Sequence, residues 1–159
     1  MKILFIITGL GMGGAEKIVA NLADTFNKEN EIKIIYLTGE VIVKPESNNI
    51  ELIGLNISSP FFFFRDYLKL RKIINDFQPD VIHSHMFHAI IISRLMKLTT
   101  KVPKLICSAH NTVDGGKFRA FMYKITDFLA DMSTNVSKDA VSSFIQSKAT
   151  PKNKIICID

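Results

Sequence analysis

The fold is decided at the start of the chain, where the apolar run KILFIIT (residues 2–8) leads into the glycine-rich run GLGMGGAE (residues 9–16). An uninterrupted apolar run is typical of a strand that is buried on both faces of a parallel sheet. Glycines directly after it allow a tight turn and a close approach of a ligand to the backbone. From residue 14 to residue 28 the apolar residues recur at helical spacing. The chain therefore opens with a predicted strand–turn–helix unit.

The same alternation of strands and helices continues along the chain. Further strands are predicted at residues 31–38, 50–55, 81–84, 104–108, 132–136 and 154–158. Further helices are predicted at residues 65–77 and 85–98, after Gly115-Gly116 and after the N-cap Ser137. Strands that alternate with helices of this length predict right-handed crossovers. We therefore expect a single α/β domain over residues 1–159, with a Rossmann-like, mostly parallel twisted sheet and helices on both faces.

Composition excludes two broad classes of protein. With 159 residues, 47% hydrophobic and 22% charged, the chain is too apolar for a disordered protein. Its longest apolar stretches, residues 3–10 and 89–92, are far shorter than the roughly 20 residues that span a bilayer. No secretory signal is predicted, and Cys107 and Cys157 are expected to be buried and reduced, so we predict a cytoplasmic location. The net charge of +5 favours a phosphate, a nucleotide or an acidic lipid surface as partner.

The glycine-rich run is the first of three polar groups that follow predicted strands, where open α/β sheets place their ligands. Gly9, Gly11 and Gly14 satisfy the G-x-G-x-x-G pattern, and the following helix offers backbone N–H groups to an anion. A dinucleotide site would also need an acid at the end of the second strand, where only Glu40 is available. The pattern predicts contact with an anion or a polar ligand, and a tight turn without a ligand is the alternative.

The second group consists of His83, His85 and His88. Packed or hydrogen-bonded histidines at a strand end and a polar substrate contact are two interpretations of this group. A metal site is the third, but it would need three or four ligands, and no cysteine or carboxylate is nearby in the sequence. We therefore predict no metal.

The third group is Ser108-Ala-His110-Asn111-Thr112, after the fifth predicted strand. His110 is expected to face the glycine-rich run across the strand ends. A histidine there can donate a hydrogen bond or transfer a proton near neutral pH. A purely structural histidine is the alternative. No G-x-S-x-G motif is present to support a serine nucleophile.

Aromatic and basic residues are concentrated at the start of the second predicted helix. An anionic membrane surface could be bound by such a segment. The alternative is a buried aromatic plug beside a solvated basic helix face. Basic and aromatic residues are not interleaved as in nucleic-acid-binding sheets, so nucleic acid is not expected as a partner. The residues in question are Phe61, Phe62, Phe63, Phe64, Lys69, Arg71 and Lys72.

Five segments, taken in order, resemble one family. GMGGAEK at residues 11–17 resembles the Gly-Gly-Ala-Glu start of the retaining GT-B glycosyltransferases of family four, and PDVIHSH at residues 79–85 resembles their Pro-Asp-Val-Ile-His-x-His segment. SAHN at residues 108–111 resembles their strand-end histidine motif. NVSK (residues 135–138) and KIICI (residues 154–158) resemble later segments of the same family. The resemblance runs over the whole chain.

The resemblance implies an enzyme of capsule, exopolysaccharide or lipid-linked glycan synthesis, with two Rossmann-like domains that face a cleft. This chain resembles the N-terminal, acceptor-binding domain. A C-terminal nucleotide-sugar domain, or a partner subunit in its place, is expected to be needed for complete activity.

The resemblance also implies roles for individual residues. Gly13 and Gly14 would lie against the reacting sugar or phosphate, and Glu16 against the acceptor. His110 would be catalytic, contacting the donor sugar and helping to position the transition state. His85 and Asn111 would bind substrate.

No cofactor or metal is implied, because the nucleotide-sugar is a substrate and such enzymes usually need no divalent ion. Many enzymes of this family act on lipid-linked acceptors at the inner face of the membrane. The resemblance therefore implies that the aromatic and basic segment could hold the protein peripherally at that surface. Two further hypotheses remain open from the residues. One is an NAD(P)-binding domain of an oxidoreductase, and the other is a non-catalytic binding module at the membrane.

Overall fold

The computed structural model describes residues 1–57, 63–111 and 116–158, which form a seven-stranded, fully parallel sheet. The strands are β1 (Lys2–Ile7), β2 (Glu31–Tyr36), β3 (Glu51–Gly54), β4 (Val81–His85), β5 (Lys104–Ala109), β6 (Met132–Asn135) and β7 (Ile155–Cys157). The helices are α1 (Gly14–Phe26), α2 (Phe63–Phe77), α3 (Phe87–Met96), α4 (Gly116–Thr126) and α5 (Lys138–Gln146), with 3-10 turns at Asp127–Leu129 and Lys152–Lys154. The predicted Rossmann-like architecture is confirmed.

The strand order is β3-β2-β1-β4-β5-β6-β7, so the direction of the chain across the sheet reverses between β1 and β4. Ile7, His85 and Ser108 lie side by side in register at the ends of β1, β4 and β5. In open α/β sheets a crevice forms where the order reverses, outside the carboxyl ends of the strands. The topology therefore brings the loops after β1, β4 and β5 to one place.

Side chains from the central strands pack on both faces of the sheet. Phe5 and Ile7 belong to a core cluster with Val19 of α1. Ile6 lies in a second cluster, to which residues of α2, α3, α4 and α5 contribute, among them Ile90. Because β1 is covered on both faces, its sequence is apolar without alternation.

A buried arginine joins α3 to the neighbouring elements. Arg94 is only 1% exposed and donates hydrogen bonds to the Tyr123 carbonyl, Thr126 Oγ1 and Ser133 Oγ. Its guanidinium also lies 3.5 Å from a carboxylate oxygen of Asp127. This network ties α3 to α4, the following 3-10 turn and β6, because a buried guanidinium needs partners for its donors.

The structure corrects two local predictions. The helix predicted to start at residue 85 begins at Phe87, because His85 continues β4 in register and Met86, at φ 72°, breaks the chain direction. Cys107 is buried as predicted, but Cys157 is only half-buried, since β7 is the edge strand of the sheet. Within the described residues, no helix combines the length and the apolarity needed to cross a bilayer.

Candidate functional site

A pocket of about 480 Å³ lies at the carboxyl edge of the sheet, and we call it the strand-end pocket. It brings together five of the residues predicted to bind or act on substrate: Gly13, Gly14, Glu16, His110 and Asn111. Its volume is within the range of roughly 300–1,000 Å³ that is usual for small-molecule sites. The remaining described lining residues are Thr8, Ala15, Met86, Phe87, His88 and Arg119.

The two adjacent glycines at the start of α1 meet different surroundings. A Cβ atom on Gly13 would lie 2.3 Å from Glu16 Oε2, so the Glu16 carboxylate folds back over the helix start. A Cβ atom on Gly14 would meet nothing within 4 Å among the described residues. Packing therefore does not explain the glycine at position 14, which presents bare backbone to the pocket. As the N-cap of α1, Gly13 has no side chain to hydrogen-bond the first N–H groups of the helix.

His110 is held by a second histidine that lies behind it. His85 Nδ1 and His110 Nε2 are 2.9 Å apart, and the two rings stack with centroids 5.2 Å apart. His85 is 1% exposed and does not line the strand-end pocket, so the structure places it against His110 rather than against a ligand.

The hydrogen bond between these two histidines has a preferred direction. Among the described residues, His85 Nε2 is buried and has no hydrogen-bond partner. If His85 donates from Nδ1, only a lone pair at Nε2 is unpaired, whereas the other tautomer would bury an unpaired N–H. This direction leaves His110 with its hydrogen on Nδ1, available to a ligand in the pocket.

A chain of polar side chains crosses the sheet beside this pair. His83 Nε2 lies 2.7 Å from Ser108 Oγ, which lies 2.6 Å from Thr134 Oγ1. The rings of His83 and His85 are 4.0 Å apart between centroids. The two predicted histidines of β4 are therefore packed and hydrogen-bonded on the sheet, as one of the three interpretations of this group required.

All three clustered histidines are neutral at pH 7. Burial, together with the nearby His110, lowers the pKa of His83 to about 4. Burial and the neighbouring histidines hold the pKa of His85 well below its usual value, and burial lowers the pKa of His110. In this state His110 acts as a neutral hydrogen-bond donor rather than as a cation.

The loop that carries His110 is fixed from β6. The Asn111 carbonyl accepts a hydrogen bond of 3.0 Å from Asn135 Nδ2, and Asn135 is 1% exposed. Thr112, the last residue of the predicted motif, lies outside the described residues.

Arg119 lies outside the three polar groups predicted from the sequence. Its guanidinium lies over the Phe87 ring, 4.9 Å from the centroid, and lines the strand-end pocket. Met86, the N-cap of α3, makes no side-chain cap bond among the described residues, although the Ala89 N–H donates a hydrogen bond of 3.4 Å to Thr8 Oγ1. Phe87 and His88, the first two residues of α3, line the pocket and bring the start of that helix to it. A basic residue near a helix N-terminus interacts unfavourably with the helix dipole. The position of Arg119 near the start of α4 was therefore the one feature of the sequence that could have pointed to a functional role for it.

The aromatic and basic segment is only partly described. Phe61 and Phe62 lie outside the described residues. Phe63 and Phe64 form the start of α2 and are 42% and 72% exposed, so the buried-plug interpretation does not hold for Phe64. The basic side chains farther along α2 are exposed, as predicted, at Lys69, Arg71 and Lys72.

Two alternatives from the sequence can be examined directly. Among residues 1–57, 63–111 and 116–158, no group of three or more His, Cys, Asp or Glu side chains could hold a metal ion. Glu40, the acid that a dinucleotide site would need, is exposed and does not line the strand-end pocket.

Comparison with known sequences identifies one family. The family model described as Glycosyltransferase Family 4 matches residues 12–158. A curated relative from Campylobacter jejuni subsp. jejuni serotype O:2 is 34% identical over 122 residues, which are 70% of this chain and 33% of the relative. Its name is GalNAc-alpha-(1->4)-GalNAc-alpha-(1->3)-diNAcBac-PP-undecaprenol alpha-1,4-N-acetyl-D-galactosaminyltransferase.

Comparison with solved structures supports the fold. Anabaena Alr3699/HepE in complex with UDP matches with a TM-score of 0.79 at 17% identity, over 99% of this chain and 43% of that chain. The lipopolysaccharide outer core galactosyltransferase WaaB, in its apo form, matches with a TM-score of 0.72 at 17% identity, over 98% of this chain and 44% of that chain. The chain thus spans about a third of the curated relative and less than half of each of these structures.

Proposed function

The chain belongs to glycosyltransferase family 4, and we propose that it forms the acceptor side of an enzyme that transfers a sugar from a nucleotide-sugar to a glycan or lipid-linked acceptor. The observation that carries this proposal is the strand-end pocket, where Gly14, Glu16 and His110 meet. The Campylobacter relative is named for adding a sugar to a glycan on undecaprenyl diphosphate, which supports a polyprenyl-diphosphate-linked saccharide as acceptor. A dinucleotide-dependent oxidoreductase is not favoured by the family match.

Glu16 and the bare backbone at Gly14 are proposed to bind different parts of the substrates. The Glu16 carboxylate accepts hydrogen bonds from hydroxyl groups of the acceptor sugar, because a carboxylate is an acceptor only. Its charge disfavours a phosphate beside it, so we place the phosphate groups nearer Arg119 and the N-terminus of α3. The backbone at Gly14 allows the reacting sugar to approach closely.

His110 is proposed to donate a hydrogen bond from Nδ1 to the donor sugar, with Asn111 as a neighbouring substrate contact. In the reaction, the bond between the anomeric carbon and the diphosphate oxygen breaks and a bond to the acceptor oxygen forms. The acceptor hydroxyl gives its proton to the departing diphosphate, the base that the reaction itself supplies. A neutral donor fixed by His85 positions the sugar without reorganising during this step. We propose that His85 serves substrate binding in this indirect way, and that transfer proceeds with retention.

No cofactor is proposed, and we expect transfer to continue when divalent ions are chelated. The leaving diphosphate carries negative charge that positive groups can stabilise.

We further propose that the protein is a cytoplasmic enzyme that binds peripherally at the inner face of the membrane. Phe63 and Phe64 would insert at the interface, while Lys69, Arg71 and Lys72 would contact acidic headgroups. Vesicle flotation tests this at low salt. Binding to vesicles with acidic lipid, lost on substitution of Phe64→Ser, supports the proposal. The proposal is contradicted if the protein floats equally well with neutral and with acidic vesicles, and if Phe64→Ser floats as well as the parent protein.

Sugar transfer is tested with the whole gene product, UDP-N-acetylgalactosamine and related donors, and a polyprenyl-diphosphate-linked saccharide. We expect labelled product with the purified protein, and NMR of the new linkage reports whether it forms with retention. His110→Ala should lower kcat by at least about a hundredfold, as is typical when a transition-state hydrogen-bond donor is lost. Glu16→Gln should chiefly raise KM for the acceptor. Full activity of His110→Ala would contradict the assigned site.

A further inference from the structure

A second cavity, the apolar groove, opens beside the strand-end pocket and has a volume of about 530 Å³. Side chains from three helices form its walls. Phe63 comes from α2, Ile91 and Leu95 come from α3, and Phe118 and Met122 come from α4. None of these five side chains offers a strong hydrogen-bond partner, and the polar lining is limited to Thr8, Thr38 and His88 among the described residues. Most of the groove therefore suits an apolar group.

The apolar groove adjoins the strand-end pocket. Thr8, Phe87 and His88 line both cavities. One cavity therefore presents charged and polar groups, including Glu16 and Arg119, while its neighbour presents hydrocarbon. A single molecule with a polar head and an apolar tail matches this pair of sites.

The rim of the apolar groove is exposed aromatic surface. Phe63 is 42% exposed and Phe118 is 68% exposed, although both side chains line the groove. Removing such surface from water is favourable in proportion to the apolar area covered. A glycan in the same place would leave hydroxyl groups without partners against apolar walls, which is costly. The groove therefore selects a hydrocarbon chain over further sugars.

We propose that the apolar groove binds the first isoprene units of a polyprenyl diphosphate whose diphosphate and saccharide lie in the strand-end pocket. This rests on the proposed function and deepens it, because it assigns the lipid part of the acceptor to a protein site. The prenyl chain then contributes binding energy at the protein, in addition to any contact of Phe64 with a membrane.

The test uses the purified protein in buffer without detergent or vesicles. Equilibrium dialysis measures the binding of inorganic diphosphate, geranyl diphosphate and farnesyl diphosphate. Because farnesyl carries one isoprene unit more than geranyl, its affinity should be higher by at least about tenfold if that unit is buried. Equal affinities for the three ligands would overturn the proposal.

Two exposed phenylalanines of α4 provide a matched pair of variants. Phe118 lines the apolar groove, whereas Phe121, 56% exposed on the same helix, does not. Phe118→Gln should reduce farnesyl diphosphate affinity by about tenfold and leave inorganic diphosphate affinity unchanged. Phe121→Gln should change neither, and circular dichroism checks that both variants fold. Equal effects of the two substitutions on farnesyl diphosphate would overturn the assignment of the groove.

The transfer assay separates this proposal from the function on which it rests. If sugar transfer occurs but the acceptor KM is independent of prenyl length and of Phe118→Gln, the groove proposal fails and the proposed function stands. If farnesyl diphosphate binds with the expected dependence on Phe118 but no nucleotide-sugar supports transfer, the groove binds prenyl chains and the proposed function fails.

Discussion

Replacing His83 by glutamine should make the stability of the protein less sensitive to acid. Unfolded histidine has a pKa near 6.5, whereas burial lowers the pKa of His83 to about 4 in the folded protein. Above the higher value the ring is neutral in both states. Between the two values the unfolded chain binds a proton that the folded protein excludes, so the free energy of unfolding falls as the pH falls. Below about pH 4 this loss is complete.

The size of the effect follows from the size of the pKa shift. One pKa unit is worth about 1.36 kcal/mol, so full acidification through the window removes roughly 3 kcal/mol. Acidification from about pH 7 to about pH 5 should remove roughly 2 kcal/mol through His83 alone. Glutamine cannot titrate, and its amide can keep the hydrogen bond that His83 Nε2 makes with Ser108 Oγ. The variant should therefore lose roughly 2 kcal/mol less than the parent protein.

Urea unfolding at the two pH values measures the difference. The chain contains no tryptophan, so unfolding is followed by circular dichroism and extrapolated linearly to water. Carboxylates titrate in both proteins and cancel in the comparison. His88→Gln is the control: partial burial and the nearby Arg119 also lower the pKa of His88, but its side chain is exposed, so its replacement should leave most of the acid sensitivity in place. If His83→Gln and the parent lose the same stability within about 0.5 kcal/mol, the depressed pKa of His83 is refuted.

Three further predictions concern the site and its support. Gly14→Ala should leave stability unchanged or raise it by up to about 1 kcal/mol, because the new methyl group meets nothing within 4 Å among the described residues. The same substitution should weaken substrate binding, measured by calorimetry. Unchanged binding would show that no ligand approaches this backbone. His85→Leu should lower kcat more than His85→Asn does, because the asparagine amide can still donate a hydrogen bond towards His110. Equal losses of kcat would argue against the proposal that His85 positions His110. Arg94→Met should lower the free energy of unfolding by roughly 3 kcal/mol, because Asp127 loses its arginine partner and keeps the ion pair with Lys154. The ligand affinity of the folded protein should change little. A loss below about 1 kcal/mol would show that the buried pair is not needed for stability.

The sheet was predictable because its strands and helices differ in period. Residues 3–7 are apolar without alternation, residues 31–38 are rich in β-branched and apolar side chains, and the helices between strands carry apolar residues at helical spacing. Element ends were less predictable. β4 extends through His85 because in-register pairing with both neighbouring strands continues there, and Met86 then takes a positive φ. The spacing of hydrophobic residues along the sequence predicts neither the strand register nor that backbone angle.

The site was predictable to the extent that its residues follow strands. Glycines after β1 and the histidine after β5 meet because parallel strands end at one edge of the sheet. Arg119 escaped prediction because it lies inside a helix, where only tertiary packing over Phe87 brings it to the pocket. His85 is buried because other elements cover its face of the sheet, and the residues next to His85 in the sequence do not reveal that packing.

The histidine cluster is difficult to explain by stability alone. An apolar side chain at His85 would pack beside Phe5 and Ile7, and it would avoid burying Nε2 without a partner. His83 adds a second, partly buried imidazole whose depressed pKa makes the fold sensitive to acid. Among the described residues, the two rings make two side-chain hydrogen bonds: His83 bonds Ser108 Oγ, and His85 bonds and orients His110. A neutral imidazole held in one tautomer at the pocket wall suits a hydrogen bond to a ligand, which is the role that we propose for His110.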